Sequence, residues 1–138
     1  MSALDALNDN PLPLARLLGI VLRQAGRDCV VAEMTVRDDL CTLGERVHGG
    51  ALMALADTAA ATGTAVSLPD GAAGTTTIES KTNFVSGAAL GTKLIATAAP
   101  IHRGRQTQVW QTHVETEAGR LVAVVSQTQM ILYPRNDA

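Results

Sequence analysis

The chain has 138 residues, 46% hydrophobic and 17% charged, with a mean hydropathy of +0.15. That fits one domain with a true core and excludes a disordered chain. A net charge of −2 and three aromatic residues, Phe84, Trp110 and Tyr133, argue against nucleic acid as a partner, because a base-stacking platform needs several aromatics beside a basic groove. Cys29 and Cys41 are too few for a disulfide scaffold. The N-terminal MSALDALNDNPLPLARLLG lacks the pattern of a secretory leader, and the longest apolar stretch, Gly49 to Leu68, is interrupted by Asp57. A cytoplasmic chain that does not enter a membrane is the expectation. The abundance of Ala, Gly and Thr suggests close backbone packing and a core completed by a second copy of the chain.

In chain order, residues 11–18 (PLPLARLL) predict a short helix entered through prolines. Residues 19–36 alternate around a turn at Gly26-Arg27-Asp28 and predict a hairpin. Residues 38–47 carry turn and charge signals with little periodicity. Residues 49–66 predict the long central helix, apolar on every face and therefore buried, ended by Pro69-Asp70-Gly71. The segments 75–86, 90–103, 106–117 and 120–133 are rich in Val, Ile and Thr and joined at glycines, which predicts an antiparallel meander. Residues 134–138 form a C-terminal tail. The expected class is α+β: a single domain over 1–138, one long helix against an antiparallel sheet of about five strands.

Most standard chemistry is missing. There is no GxSxG elbow, no phosphate-binding glycine loop, and no metal-ligand spacing among His48, His102, His113 and the cysteines. The unusual residue is Asp57, whose helical neighbours Met53, Ala54, Ala60 and Ala61 are all apolar. A carboxylate on such a face is either satisfied locally, with Thr58 or Thr62 as the nearest hydroxyls, or poised for catalysis. The same helix starts at His48-Gly49-Gly50 without a Ser, Thr, Asp or Asn cap, which leaves its first N–H groups for an anion or a developing oxyanion. Gly49 and Asp57 lie eight residues apart, roughly 12 Å along one helix. Both can act on one carbonyl only if two antiparallel helices, from two chains, face each other.

The segments VHGGALMALAD (47–57), TIESKTNF (77–84) and HRGR (102–105), in that order, resemble the hotdog-fold acyl-CoA thioesterases, closest to the PaaI-type and 4-hydroxybenzoyl-CoA branch. The resemblance spans about residues 11–133. It implies that Asp57 is the catalytic carboxylate, as general base or nucleophile, and that the Gly49 amide is the oxyanion donor. Gly50 continues that turn and His48 positions it. Thr77 is implied to help place the attacking water. Asn83 and Phe84, which end the second segment, and Arg103-Gly104-Arg105, along the coenzyme A nucleotide, are implied substrate contacts. Thr42 stands where relatives often carry Asn or Gln near the thioester carbonyl. The implied activity is hydrolysis of a medium-chain or aryl acyl-CoA without metal or cofactor, coenzyme A being part of the substrate. The implied assembly is a homodimer that pairs again into a homotetramer. The alternatives are a non-catalytic acyl-CoA-binding protein and a hotdog hydratase or dehydratase.

Overall fold

A computed structural model describes residues 1–135; residues 136–138 of the expected tail lie outside the described residues. The elements are α1 (Ala3–Asp9), α2 (Pro13–Leu18), β1 (Val21–Ala25), β2 (Val30–Thr35), a 3₁₀ turn (Asp38–Leu40), β3 (Cys41–Thr42), β4 (Arg46–Val47), α3 (Gly49–Ala65), β5 (Gly74–Phe84), β6 (Lys93–Arg103), β7 (Thr107–Thr116) and β8 (Leu121–Leu132). Six strands form one sheet in the order β1-β2-β6-β7-β8-β5, every neighbouring pair antiparallel. β3 and β4 form a separate two-stranded ribbon. The sheet thus has six strands rather than about five, because both arms of the predicted 19–36 hairpin join it.

The sheet wraps α3, which buries Leu52, Leu55, Ala56, Ala59, Ala60, Gly63 and Thr64. Small residues on this face let the helix lie close to the strands. The tightest point is Gly63, where a Cβ would come within 2.4 Å of the Trp110 ring. Trp110 is fully buried, and its indole N–H donates to Gln108 Oε1 at 2.9 Å.

Sequence reasoning missed α1. Its signal is a capping box, in which the Ser2 hydroxyl accepts from the Asp5 N–H and the Asp5 carboxylate accepts from the Ser2 N–H. The Ser2 N–H and then the Ser2 hydroxyl, both donating to the carboxylate, hold the Asp5 carboxyl below its ordinary value. Asn8 then ties the helix to β1, donating to Leu22 O at 2.8 Å and accepting from Leu22 N–H at 2.9 Å.

A bulge at Ile78 shifts the register of β5 against β8 between Thr77 and Glu79. Without it, Thr77 and Ser80 would point to opposite faces. With it, both are half-buried, while Ile78 and Glu79 are exposed. Among the described residues, no helix is long and apolar enough to cross a membrane.

Candidate active site

Asp57 sits at the middle of α3, half-buried, and its carboxylate reaches across to the sheet. Oδ1 accepts from the Thr77 hydroxyl of β5 at 2.7 Å and from Gln127 Nε2 of β8 at 2.6 Å. Thr77 Oγ1 in turn accepts from Gln129 Nε2 at 2.8 Å. Thr58 and Thr62, the partners that local sequence offered, instead bond the carbonyls of Ala54 and Thr58 in their own helix. A threonine hydroxyl returns to the turn before it when no better acceptor is near. The satisfying groups come from strands 20 and 70 residues further along the chain. With both donors on Oδ1, Oδ2 has no hydrogen-bond partner in the protein among the described residues.

The start of α3 differs from the expectation of a bare end. His48 is itself the cap, its Nδ1 accepting from the Gly50 N–H at 2.8 Å. Ala51 N–H turns back to the His48 carbonyl at 3.0 Å. Gly50 is therefore occupied, and among the described residues the Gly49 amide at this end has no partner. The Phe84 ring packs against the Gly49 Cα so closely that a Cβ there would lie 3.0 Å from Cε1.

His48 and Cys41 line one groove beside α3, an arrangement that suggests a thiol–imidazole pair. Three facts oppose it. Cys41 Sγ donates to Arg37 O at 3.3 Å. Burial, followed by the charges of Asp38, Glu45 and Asp39, pushes its thiol pKa up. His48 Nδ1 is taken by the Gly50 amide.

The sequence-derived residues therefore fall into separate groups within one chain. Asp57 and Thr77 meet. His48, Gly49, Gly50 and Phe84 gather at the N-terminal end of α3. Arg103, Gly104 and Arg105 line a cavity of about 510 Å³ with Ser67 and Leu68, beyond the other end of α3. Arg103 bonds Asp28 Oδ1 at 2.9 Å and the Arg27 carbonyl, and Arg105 lies over the Tyr133 ring at 5.5 Å. Thr42, on the β3–β4 ribbon, is exposed, as is Asn83, which accepts from Lys81 Nζ at 3.1 Å. Of the helix residues named in the sequence around Asp57, Ala60 is fully buried on the sheet side, whereas Ala61 lines a cavity.

Sequence reasoning missed Gln127 and Gln129. The signal was present: they alternate in phase with Val125 and Ile131 on β8, and all four are buried.

One long helix wrapped by an antiparallel sheet, with a tethered carboxylate at mid-helix, defines the hotdog class. Residues 44–123 match the family model of the thioesterase superfamily. The protein Rv1847 of Mycobacterium tuberculosis, whose name assigns it provisionally to the esterases, is 30% identical over 114 residues, 81% of each chain. The solved structure of thioesterase HI1161 from Haemophilus influenzae superimposes with a TM-score of 0.89 at 28% identity, covering 99% of this chain and 95% of that one. The Escherichia coli PaaI protein of the phenylacetic acid degradation operon gives a TM-score of 0.82 at 27% identity, covering 93% and 89%. The chain belongs to the thioesterase superfamily, as a PaaI-like hotdog protein and a thioester hydrolase.

Proposed function

We propose that this protein hydrolyses a medium-chain or aryl acyl-CoA to the free acid and coenzyme A, with Asp57 as general base and the Gly49 amide as oxyanion donor. The observation that carries the reading is the tethered Asp57 carboxylate, ordered through Oδ1 and open at Oδ2. Water gives its proton to Oδ2 as its oxygen attacks the thioester carbon. The oxyanion so formed is stabilised by the backbone N–H, a donor worth about 3–4 kcal/mol in acyl transfer. Collapse of the intermediate breaks the C–S bond, and the thiolate leaves without needing a separate strong acid.

The acyl group has a place to go. A cavity of about 340 Å³ is lined by Ala61, Thr62 and Ala65 of α3, Thr75 of β5, and Leu7 and Leu12 of the N-terminal segment. Thr58 also lines it, Ala61 is one turn beyond Asp57, and Thr75 lies two residues before Thr77 on the same face of β5, so the cavity is lined by near neighbours in sequence of Asp57 and Thr77. No charged side chain lines it, which suits an uncharged acyl or aryl group.

Gly49 and Asp57 stand eight residues apart on one unbroken helix, so the reading requires a homodimer in which each site takes one residue from each chain. Its support is β5, an eleven-residue edge strand paired on one side only, with Ile78 and Phe84 more than half exposed. Such an edge invites a partner. Pairing of dimers into a homotetramer, contacts of Arg103 and Arg105 with coenzyme A phosphates, and a cytoplasmic setting that keeps Cys29 and Cys41 as free thiols belong to the same reading. Its test is thiol release from a panel of acyl-CoAs. Steady turnover of medium-chain or aryl substrates is the expected result; binding of those substrates without thiol release overturns the reading.

A further inference from the structure

Gln127 is 1% exposed, and its Oε1 is buried with no partner among the described residues. Its cross-strand neighbour on β5 is Ser80, whose hydroxyl is likewise buried and unpartnered. Directly opposed side chains on antiparallel strands stand about 5 Å apart, so a hydroxyl is at hand for the amide. The amide is nevertheless turned to Asp57, 2.6 Å from Oδ1. A carboxylate only accepts, so the glutamine must present its NH₂ group there and leave its carbonyl in the core. A core position filled this way is less stable than one filled by an apolar side chain of similar volume, because unsatisfied buried polar atoms are costly. Packing alone does not explain a glutamine here; the carboxylate does.

Gln129 acts on the same atom by another route. Its Nε2 fills an acceptor position on Thr77 Oγ1, and Thr77 directs its own hydrogen to Asp57 Oδ1. Two glutamines at alternate positions of one strand thus control one carboxylate oxygen, and the bulge at Ile78 brings Thr77 into line with them.

We infer that Gln127 is a positioning residue for Asp57: with Gln129 acting through Thr77, its amide locks Oδ1 and leaves Oδ2 as the oxygen that takes the proton of the attacking water. The inference rests on the hydrolytic reading above. The water proton goes to Oδ2, the water oxygen forms the new bond to the carbonyl carbon, and the C–S electron pair leaves on sulfur. Gln127 exchanges no proton. It fixes the plane of the carboxylate, and small errors in such placement cost up to about 100-fold in rate.

The test compares Gln127→Met, which keeps the volume and removes the donor, with Gln127→Glu, which keeps the shape but puts a second carboxyl group there that must share a proton with Asp57. Thr116→Val is the control, since Thr116 is a buried polar residue that accepts from the Arg120 N–H rather than bonding Asp57. In both Gln127 variants kcat for acyl-CoA should fall at least about tenfold with KM within about twofold of wild type. Gln127→Met should melt no lower than wild type, while Thr116→Val should melt lower with its kcat intact. Wild-type kcat in Gln127→Met, or a lowered melting temperature with kcat and KM worsening together, overturns the inference while the hydrolytic reading stands. A wild-type protein that releases no thiol overturns both.

Discussion

Asp57 was legible in the sequence because a carboxylate among alanines on an apolar helix demands an explanation. Its partners were not, because they lie on strands remote in sequence, and a local reading offers only Thr58 and Thr62. The buried phase of Gln127 and Gln129 on β8 was the missed clue: glutamines in register with Val125 and Ile131 must face the core. Asn at position 57 keeps the shape and hydrogen-bonding capacity but cannot take a proton from water. Asp57→Asn should therefore retain the fold, checked by circular dichroism, and lose about 100-fold or more in kcat. Gly63 gives a second test at this scale. Alanine is normally favoured over glycine inside a helix by about 1 kcal/mol. Here the added carbon would sit 2.4–2.8 Å from three ring atoms of Trp110, a residue with no exposed edge to move toward. Overpacking of about 1–3 kcal/mol outweighs the helical gain, so Gly63→Ala should lower the melting temperature by several degrees in thermal unfolding.

At the scale of elements, the long helix, the hairpin and the meander were readable, since each has clear periodicity and glycine or proline at its ends. The predicted helix 49–66 and the observed Gly49–Ala65 differ by one residue. The short α1 escaped because no residue of it is buried and its stability comes from the capping box and the Asn8 tether. The sequence predicts a bare start for α3 because histidine is not among the usual cap residues, yet an imidazole nitrogen is a sufficient acceptor. At the β6–β7 turn the structure separates two arginines that the sequence treats alike. Arg103 is bound to the β1–β2 turn through Asp28 and the Arg27 carbonyl, so its loss loosens the sheet as well as any phosphate contact. The Arg105 guanidinium stacks on Tyr133, whose hydroxyl donates to the Arg105 carbonyl, and it has no ion-pair partner among the described residues, which leaves its charge available. Arg105→Ala should raise KM for acyl-CoA roughly tenfold and leave KM for the matching acyl-pantetheine unchanged in steady-state assays. Equal effects on both substrates would assign the arginine to the fold.

For the whole molecule, the distance along α3 sets the outcome. Asp57 and Gly49, the proposed base and the proposed oxyanion donor, are roughly 12 Å apart on one rigid rod, and no bending of a single chain brings them to one carbon. In the proposed homodimer, two-fold pairing would place Asp57 of one chain against Gly49 of its partner, twice. The direct measurement uses Asp57→Asn and Gly49→Pro proteins, each inactive as a homodimer. Proline suits the first position of a helix and removes the N–H, but its Cβ would press on the Phe84 ring at 3.0 Å, so circular dichroism and sizing must verify that each variant is folded and dimeric. The two are unfolded together and refolded as a mixture. With random pairing, half of the dimers are mixed and each has one intact site, so activity should return to about a quarter of wild type. Folded mixed dimers that remain inactive would contradict the shared site.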